Sequence, residues 1–211
     1  MAHRSVSRKA LANATNPQDG MTAKQKKTAA VAAALLAGLL QQANSYTYAR
    51  VLHDLARATG NVKPITLDAL VAQKLADRSQ VSADSIINTQ IKKMASLLTT
   101  YDTQDEAMSA FQDWLGPHLD AITRYESGLA TNAAQNDFVS QNSLAGTEHV
   151  EPYDGECDIC VEAIAMGEVS IGDLPDMPAH FNCSHFIVQN YVNLPDNPND
   201  LWIGSDNGEQ L

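Results

Sequence analysis

The sequence predicts an α+β protein in which a helical N-terminal region is followed by a small, metal-stapled α+β lobe. Apolar residues recur at three-to-four spacing through much of the first 135 residues, which is typical of helices. Beyond Leu144, short β-like runs alternate with glycine and proline. All three cysteines lie between positions 157 and 183, close to two of the six histidines. We therefore divide the chain into a flexible basic arm (1–21), a helical region (22–135), a Cys/His lobe (136–194) and an acidic tail (195–211).

The first helix is predicted from an apolar pattern that runs from Leu36 to Leu55. Gly60 follows this pattern and supplies a natural helix end. The Ala-rich stretch Thr28–Ala43 within it has fewer uninterrupted apolar positions than the roughly 20 that a bilayer requires. We read this stretch as part of a buried helix and expect no membrane role.

Three further helices are expected before residue 136. The second follows Pro64, and the third carries the apolar positions between Ile87 and Leu98. Thr103 and Glu106 have the spacing of a capping box, which predicts the start of the fourth helix. Gly116-Pro117 is predicted to interrupt that helix, because proline removes a backbone donor and clashes with the preceding turn.

The lobe contains two candidate strands, "TEHVEPY" and "HFIVQNYV", separated by an interval rich in glycine and proline. The polar tail that follows contains one apolar pair, Trp202 and Ile203. This pair docks either on the protein body or on a partner, and docking on the body is the simpler expectation.

Charge is unevenly distributed along the chain, whose net charge is −11. Residues 1–27 carry six Lys and Arg against one Asp, whereas no Lys or Arg follows Arg124 and 15 Asp and Glu lie beyond it. A surface of that sign repels a phosphate backbone. The C-terminal part is therefore unsuited to bind nucleic acid, and only the basic arm is suited to contact DNA.

The cysteines and the start of the chain favour a reducing compartment. Three cysteines cannot all pair with one another, and no apolar run follows the basic start directly. We expect no secretory signal peptide.

A metal site is predicted from the spacing of the cysteines and histidines. Cys157-x2-Cys160 and His180-x2-Cys183 repeat the same interval, and residues three apart in a tight turn can both face one ion. Two such pairs would complete the tetrahedral shell of a structural Zn²⁺. His185 competes with His180 for the fourth position, and we favour His180. A disulfide with one unpaired thiol, or three reduced thiols without metal, are the alternatives.

Two sequence blocks resemble the C-terminal domain of the phage Mu protein F family of head morphogenesis proteins, also called minor capsid or portal-associated proteins. The first block is "AITRYESGLATNAAQ", and the matching positions are Ile122, Arg124, Glu126, Ala130 and Asn132. The second is a C-x2-C pair followed by P-x-H-x-x-C-x-[CH], and its matching positions are Cys157, Cys160, Gly167, Pro178, His180, Cys183 and His185. Ser184 and His185 replace the arginine and final cysteine that are usual in this family.

The resemblance implies a structural virion protein of a tailed bacteriophage rather than an enzyme. Such a protein is assembled in the host cytoplasm and lies in the head or at the head–tail connection. Its implied partners are the portal protein, the major capsid protein, or both. Packaged DNA is a further possible contact for the basic arm.

Arg124 and Glu126 belong to the first block and cannot face each other, because positions i and i+2 lie on different sides of a helix. A carboxylate of the acidic lobe, such as Asp154 or Glu156, is a reasonable partner for Arg124. The alternative is that both are solvated surface charges.

Two other functions compete with the virion role. An HNH-type nuclease is suggested by His180, Asn182 and His185, but such an enzyme needs cations to hold phosphate and further metal ligands. A zinc-stabilised module that contacts nucleic acid through its basic arm is the second alternative.

Overall fold

A computed structural model of the chain describes residues 18, 20–61, 66–67, 69–151, 158–175, 177–179, 183, 185–203 and 209–210. The elements in chain order are α1 (Ala23–Thr59), β1 (Thr66–Leu67), α2 (Ala69–Thr100), α3 (Gln104–Asn142), β2 (Gly146–Glu151), α4 (Asp158–Ala165), β3 (Val169–Ser170), β4 (Phe186–Tyr191) and β5 (Glu209–Gln210). A 3-10 turn at Pro198–Asp200 precedes β5, which pairs with β1. The predicted fold class, a helical region followed by a small α+β lobe, is confirmed.

Local sequence signals set the ends of the helices. Gly60 has a φ of 80°, and the amide of Asn61 donates to the carbonyl of Ala56 at 2.8 Å, which is the Schellman pattern expected at a C-terminal glycine. The capping box also forms: the Thr103 hydroxyl donates to Glu106 at 2.9 Å, and the Glu106 amide donates back to it at 3.3 Å. Both predicted helix ends are therefore confirmed.

The second and third predicted helices are one continuous helix, α2. Leu75 is buried, and its buried face continues through Ser79, Ala83 and Ile86 at intervals of four, four and three residues. Serine and alanine contribute little to a pattern of large apolar side chains, so the sequence suggested a break where small residues maintain the packing.

The fourth predicted helix passes through Pro117 without ending. Gly116, Pro117 and Asp113 are all exposed, so water can satisfy the carbonyl that proline leaves without an intrahelical partner. Buried residues on both sides, Ala107 and Ala121, hold the two halves of α3 against their neighbours. The expected interruption was wrong because packing on both sides outweighs the local cost of proline.

The Asn/Gln-rich run after residue 130 is also helical, so the helical region extends past position 135 to Asn142. The helix continues because one side of it is buried along its length. The buried side chains recur at intervals of four residues: Ile122, Glu126, Ala130, Ala134 and Phe138. Ser143, at a φ of 51°, then ends α3 in a second Schellman pattern, with the amide of Leu144 donating to Val139.

The chain divides into two compact units, and all three long helices run through both. One unit contains residues up to 41 together with 76–120, and the other contains 42–75 and 121–211. The lobe therefore belongs to the same unit as the C-terminal part of α3, rather than forming a unit that starts at residue 136.

In the first unit, the Ala-rich stretch packs through its smallest side chains. Ala29, Ala33 and Ala37 are buried at intervals of four residues, whereas Leu35 and Leu39 are 68% and 65% exposed. The stretch is helical as expected, but the prediction that it is buried holds only for the alanine face. Among the described residues, no helix is both long and apolar enough to cross a membrane.

The core of the second unit joins α1, α3 and the C-terminal tail. Tyr48, Leu52 and Phe138 pack with Leu201 and Ile203, and all five are at most 2% exposed. The tail is also held by hydrogen bonds between Asn142 and the backbone of Trp202. The Trp202–Ile203 pair therefore docks on the body.

A three-stranded antiparallel sheet with the order β3-β2-β4 forms the lobe. Side chains alternate along β2, where Glu148 and Val150 face inward and lie opposite Gln189 and Ile187 of β4. The inward position of Glu148 is unusual, because a carboxylate is rarely buried unless its oxygens accept hydrogen bonds.

Glu148 meets that requirement by bonding two other segments of the lobe. One carboxylate oxygen accepts the amides of Gly172 at 2.8 Å and Leu174 at 3.1 Å, and the other accepts the Gln189 side chain at 3.1 Å. Gln189 in turn accepts the hydroxyl of Tyr191 at 3.0 Å. Burial, with a smaller contribution from the charge of Glu148, raises the pKa of Tyr191 to about 12, so this hydroxyl stays protonated and donates.

Helix α3 and the lobe approach each other closely at Gly128. A Cβ placed there would lie 2.8 Å from Cδ and 3.0 Å from Cγ of Pro178. The absence of a side chain therefore allows the proline ring to lie directly on the helix. Gly128 therefore has a packing role.

Replacement of Glu148 by alanine should lower the free energy of unfolding by about 3 kcal/mol, because the amides of Gly172 and Leu174 and the Gln189 side chain lose their acceptor. Urea denaturation of the full chain measures this. Glu151→Ala is the matched control on the outward face of the same strand and should cost less than about 1 kcal/mol. Equal losses for the two variants would show that the buried carboxylate does not hold the lobe together.

Replacement of Gly128 by alanine should destabilise the protein by about 1–3 kcal/mol, because the proline ring and the helix must move apart. Gly38→Ala is the control: Gly38 has nothing within 4 Å, and alanine there should stabilise α1 by about 0.5–1 kcal/mol. Thermal denaturation should move the two midpoints in opposite directions. A Gly128→Ala variant as stable as the parent chain would contradict the described contact.

Candidate metal centre

Cys160 lies in the first turn of α4, and the amphipathic pattern of that helix explains its orientation. Cys160 and Ala163 are fully buried, whereas Ile159 and Val161 are about half exposed. The thiol therefore enters the lobe core, near the positive end of a helix, where an anionic ligand is favoured.

Cys183 and His185 lie immediately before β4 and are also buried, at 6% and 4% exposure. The Cys183 sulfur and Nδ1 of His185 are 3.6 Å apart.

These three residues converge from two segments that are more than 20 positions apart in the sequence. The sulfurs of Cys160 and Cys183 are 3.8 Å apart, and the ligand atoms of all three residues lie within 4.8 Å of one another. A disulfide requires a sulfur separation of about 2.05 Å, so Cys160 and Cys183 are not bonded to each other. The group could hold a metal ion.

The distances can be compared with those of a tetrahedral site. With Zn–S bonds of about 2.3 Å and Zn–N bonds of about 2.0–2.1 Å, two sulfurs would be separated by about 3.8 Å and a sulfur and a nitrogen by about 3.6 Å. The distances from Cys183 to Cys160 and to His185 match both values. The donors are therefore spaced so that one small ion could contact all three.

Apolar packing fixes the ligands in this arrangement. Cys160 and Cys183 belong to one buried cluster with Val150, Leu174 and Met177. The amide of Leu174 is one of the two donors to Glu148, so the sheet, the loop after β3 and the ligand group are connected directly.

Of the five predicted ligands, the structure brings together Cys160, Cys183 and His185. Cys157 and His180 lie outside the described residues. The ring nitrogen of His185 lies beside the Cys183 sulfur. The preference for His180 as the histidine ligand stays a prediction.

The two charged residues of the first block have different environments. Arg124 is exposed, and its suggested partners Asp154 and Glu156 lie outside the described residues. Glu126 is only 3% exposed and accepts a hydrogen bond from the side chain of Asn44 at 3.0 Å. The reading of Glu126 as a solvated surface charge is therefore wrong, because it lies in the buried stripe of α3.

Sequence reasoning missed Glu148 and Asn44. A period-two reading of β2 places Glu148 on the same face as Val150, so the buried position of Glu148 could have been found from that pattern. Nothing in the local sequence marks Asn44, because its partner lies 82 positions away.

Comparisons with protein-family models, with curated proteins and with solved structures found no match to this chain.

Titration of the reduced, full-length chain with Co²⁺ tests the metal centre, because thiolate ligands give cobalt an intense charge-transfer absorption. Cys160→Ser, Cys183→Ser and His185→Ala should each weaken binding by at least about tenfold, since each removes a ligand atom. His149→Ala, on the outward face of β2, should bind as the parent chain does. Equal affinities for His185→Ala and His149→Ala would exclude His185 as a ligand.

Proposed function

We propose that this chain is a non-enzymatic structural protein of a tailed bacteriophage, acting in head morphogenesis at or near the portal or inside the head. The supporting observation is that described residues from the two blocks of family resemblance lie in one compact unit. Pro178 of the second block packs on Gly128, which lies on the helix of the first block. Residues that look like separate motifs in the sequence therefore form one packed surface.

The ligand group is proposed to bind a structural zinc ion. Two thiolates and an imidazole are donors that zinc prefers, and their separations suit a tetrahedral shell. Cys157, three positions before Cys160, is our proposed fourth ligand, with His180 as the alternative. Four protein ligands would leave no open position for an activated water, so the ion would stabilise the lobe rather than catalyse a reaction.

A structural ion suits a lobe with so little apolar core. Among the residues that the structure describes, the buried cluster around the ligands has six members, two of which are the cysteines themselves. Metal binding contributes on the order of 10 kcal/mol to the folding of zinc-finger peptides. A contribution of that size exceeds what a three-stranded sheet of this length supplies alone.

The proposed partners are the portal protein, the major capsid protein, or both. Contact with packaged DNA through the basic segment is a second candidate, and one observation favours it: Lys24, Lys26 and Lys27 are all exposed at the start of α1. The part of the chain after Arg124 has no cation with which to hold phosphate. This charge distribution argues against an HNH-type nuclease.

The assembly role is tested by introducing Cys183→Ser into a phage that encodes this chain. We expect the lobe to lose its metal and particles to assemble with defective heads, visible by electron microscopy and as a loss of infectivity. His149→Ala is the control and should give normal particles. Normal heads from a Cys183→Ser protein that has lost its metal would contradict the proposed role of the lobe.

A further inference from the structure

A cavity of about 280 Å³ lies between α3 and the segment that enters β4, within the second compact unit. Asn132 and Gln135 line it from the helix, and Met177, Pro178, Phe186 and Ile187 line it from the lobe. His185 of the metal centre also borders it. The apolar walls and the two carboxamides give this cavity a distinct chemistry, which the proposed assembly role does not use.

Within the described part of the chain, neither carboxamide has a hydrogen-bond partner. Asn132 is 9% exposed, and its side chain makes no hydrogen bond to any residue that the structure describes. The Oε1 atom of Gln135 is buried and likewise has no partner in the described part of the chain. Buried polar groups are nearly always hydrogen-bonded, so the unsatisfied Oε1 of Gln135, with the Asn132 carboxamide lining the same cavity one turn earlier, points to a ligand.

The chemistry of the cavity limits what that ligand can be. A carboxamide offers both a donor and an acceptor, and the residues of α3 that line the cavity carry no charge. A neutral group with its own N–H and C=O, such as a peptide backbone, is complementary to this pair. The volume lies just below the range of about 300–1,000 Å³ that is usual for small-molecule pockets, and it suits a single residue of a longer chain.

Strand β4 offers a means of holding such a chain. It is an edge strand in the order β3-β2-β4, and no described strand pairs with its outer edge. Phe186, at the mouth of the cavity, is 49% exposed, and Val192 just beyond the strand is 78% exposed. An extended peptide can add to such an edge through backbone hydrogen bonds and place alternate side chains in pockets.

Charge complementarity indicates the kind of peptide. No Lys or Arg follows Arg124, whereas 15 Asp and Glu do, and the partly exposed Glu151 lies opposite Phe186 in the strand register. A cationic segment would be attracted to this part of the protein and an anionic one repelled.

We propose that the cavity and the free edge of β4 form a docking site for an extended, Lys/Arg-bearing peptide segment of a partner protein. One residue of the peptide occupies the cavity, its backbone pairs with Asn132 and Gln135, and the flanking residues continue along β4. This site does not depend on a role in the virion.

Synthetic peptide pools test the proposal with the full-length chain. The pools have about nine residues each and carry Lys/Arg, Asp/Glu or proline at alternate positions, and binding is followed by fluorescence anisotropy. The Lys/Arg pool should bind. The Asp/Glu pool should fail through repulsion, and the proline pool should fail because it lacks the amides that a strand needs. Equal binding of all three pools, or binding of none, would overturn the proposal.

Variants in α3 test the site itself. Asn132→Ala combined with Gln135→Ala should weaken binding of the Lys/Arg pool by at least about tenfold. Asn136→Ala removes an exposed carboxamide from the same helix and should change nothing. In the parent chain, the Lys/Arg pool should shift the NMR signals of Phe186, Ile187 and the two side-chain amides, a readout that does not depend on the folding of any variant. Unchanged affinity in the double variant, or shifts confined to other parts of the chain, would locate the binding elsewhere and refute the site.

Discussion

The convergence of Cys160 with Cys183 and His185 is the constraint on which the lobe depends. It connects a short helix to the start of β4, and both segments contribute little other buried surface. Glu148 provides the second connection, because its carboxylate bonds the loop after β3 and a side chain of β4 at the same time. The lobe is thus held by the ligand group and the hydrogen bonds of Glu148 rather than by a large apolar core. Single substitutions at these positions should therefore destabilise it.

The lobe also depends on the helices beside it. The Tyr191 ring lies 5.8 Å from that of Phe138 in α3, and Pro178 rests on Gly128. The tail returns to the same core through Leu201 and Ile203. These contacts explain why the second compact unit includes parts of all three long helices. On α3, Glu126, Ala130 and Asn132 are buried, whereas Arg124 is exposed.

The sequence was sufficient where structure is decided locally. Gly60 and the Thr103–Glu106 capping box set helix ends through contacts within a few residues, and the buried positions of β2 alternate with period two. It was insufficient where distant residues decide: α2 continues through buried Ser79 and Ala83, and α3 passes Pro117 because packing outweighs a local cost. For the candidate site, spacing identified Cys160, Cys183 and His185 as candidate ligands, and the structure brings their donor atoms together. The roles of Cys157 and His180 stay predictions, because both residues lie outside those that the structure describes.

The zinc K-edge X-ray absorption spectrum of the purified, reduced, full-length chain tests the central claim most directly, because it counts the sulfur and nitrogen neighbours of the ion without a probe or a substitution. A structural site predicts close to one zinc per chain, with sulfur at about 2.3 Å, nitrogen at about 2.0–2.1 Å and four protein ligands in total. A folded, reduced chain that carries no zinc, or an ion surrounded by oxygen and nitrogen without sulfur, would contradict the claim that these thiolates hold the lobe together.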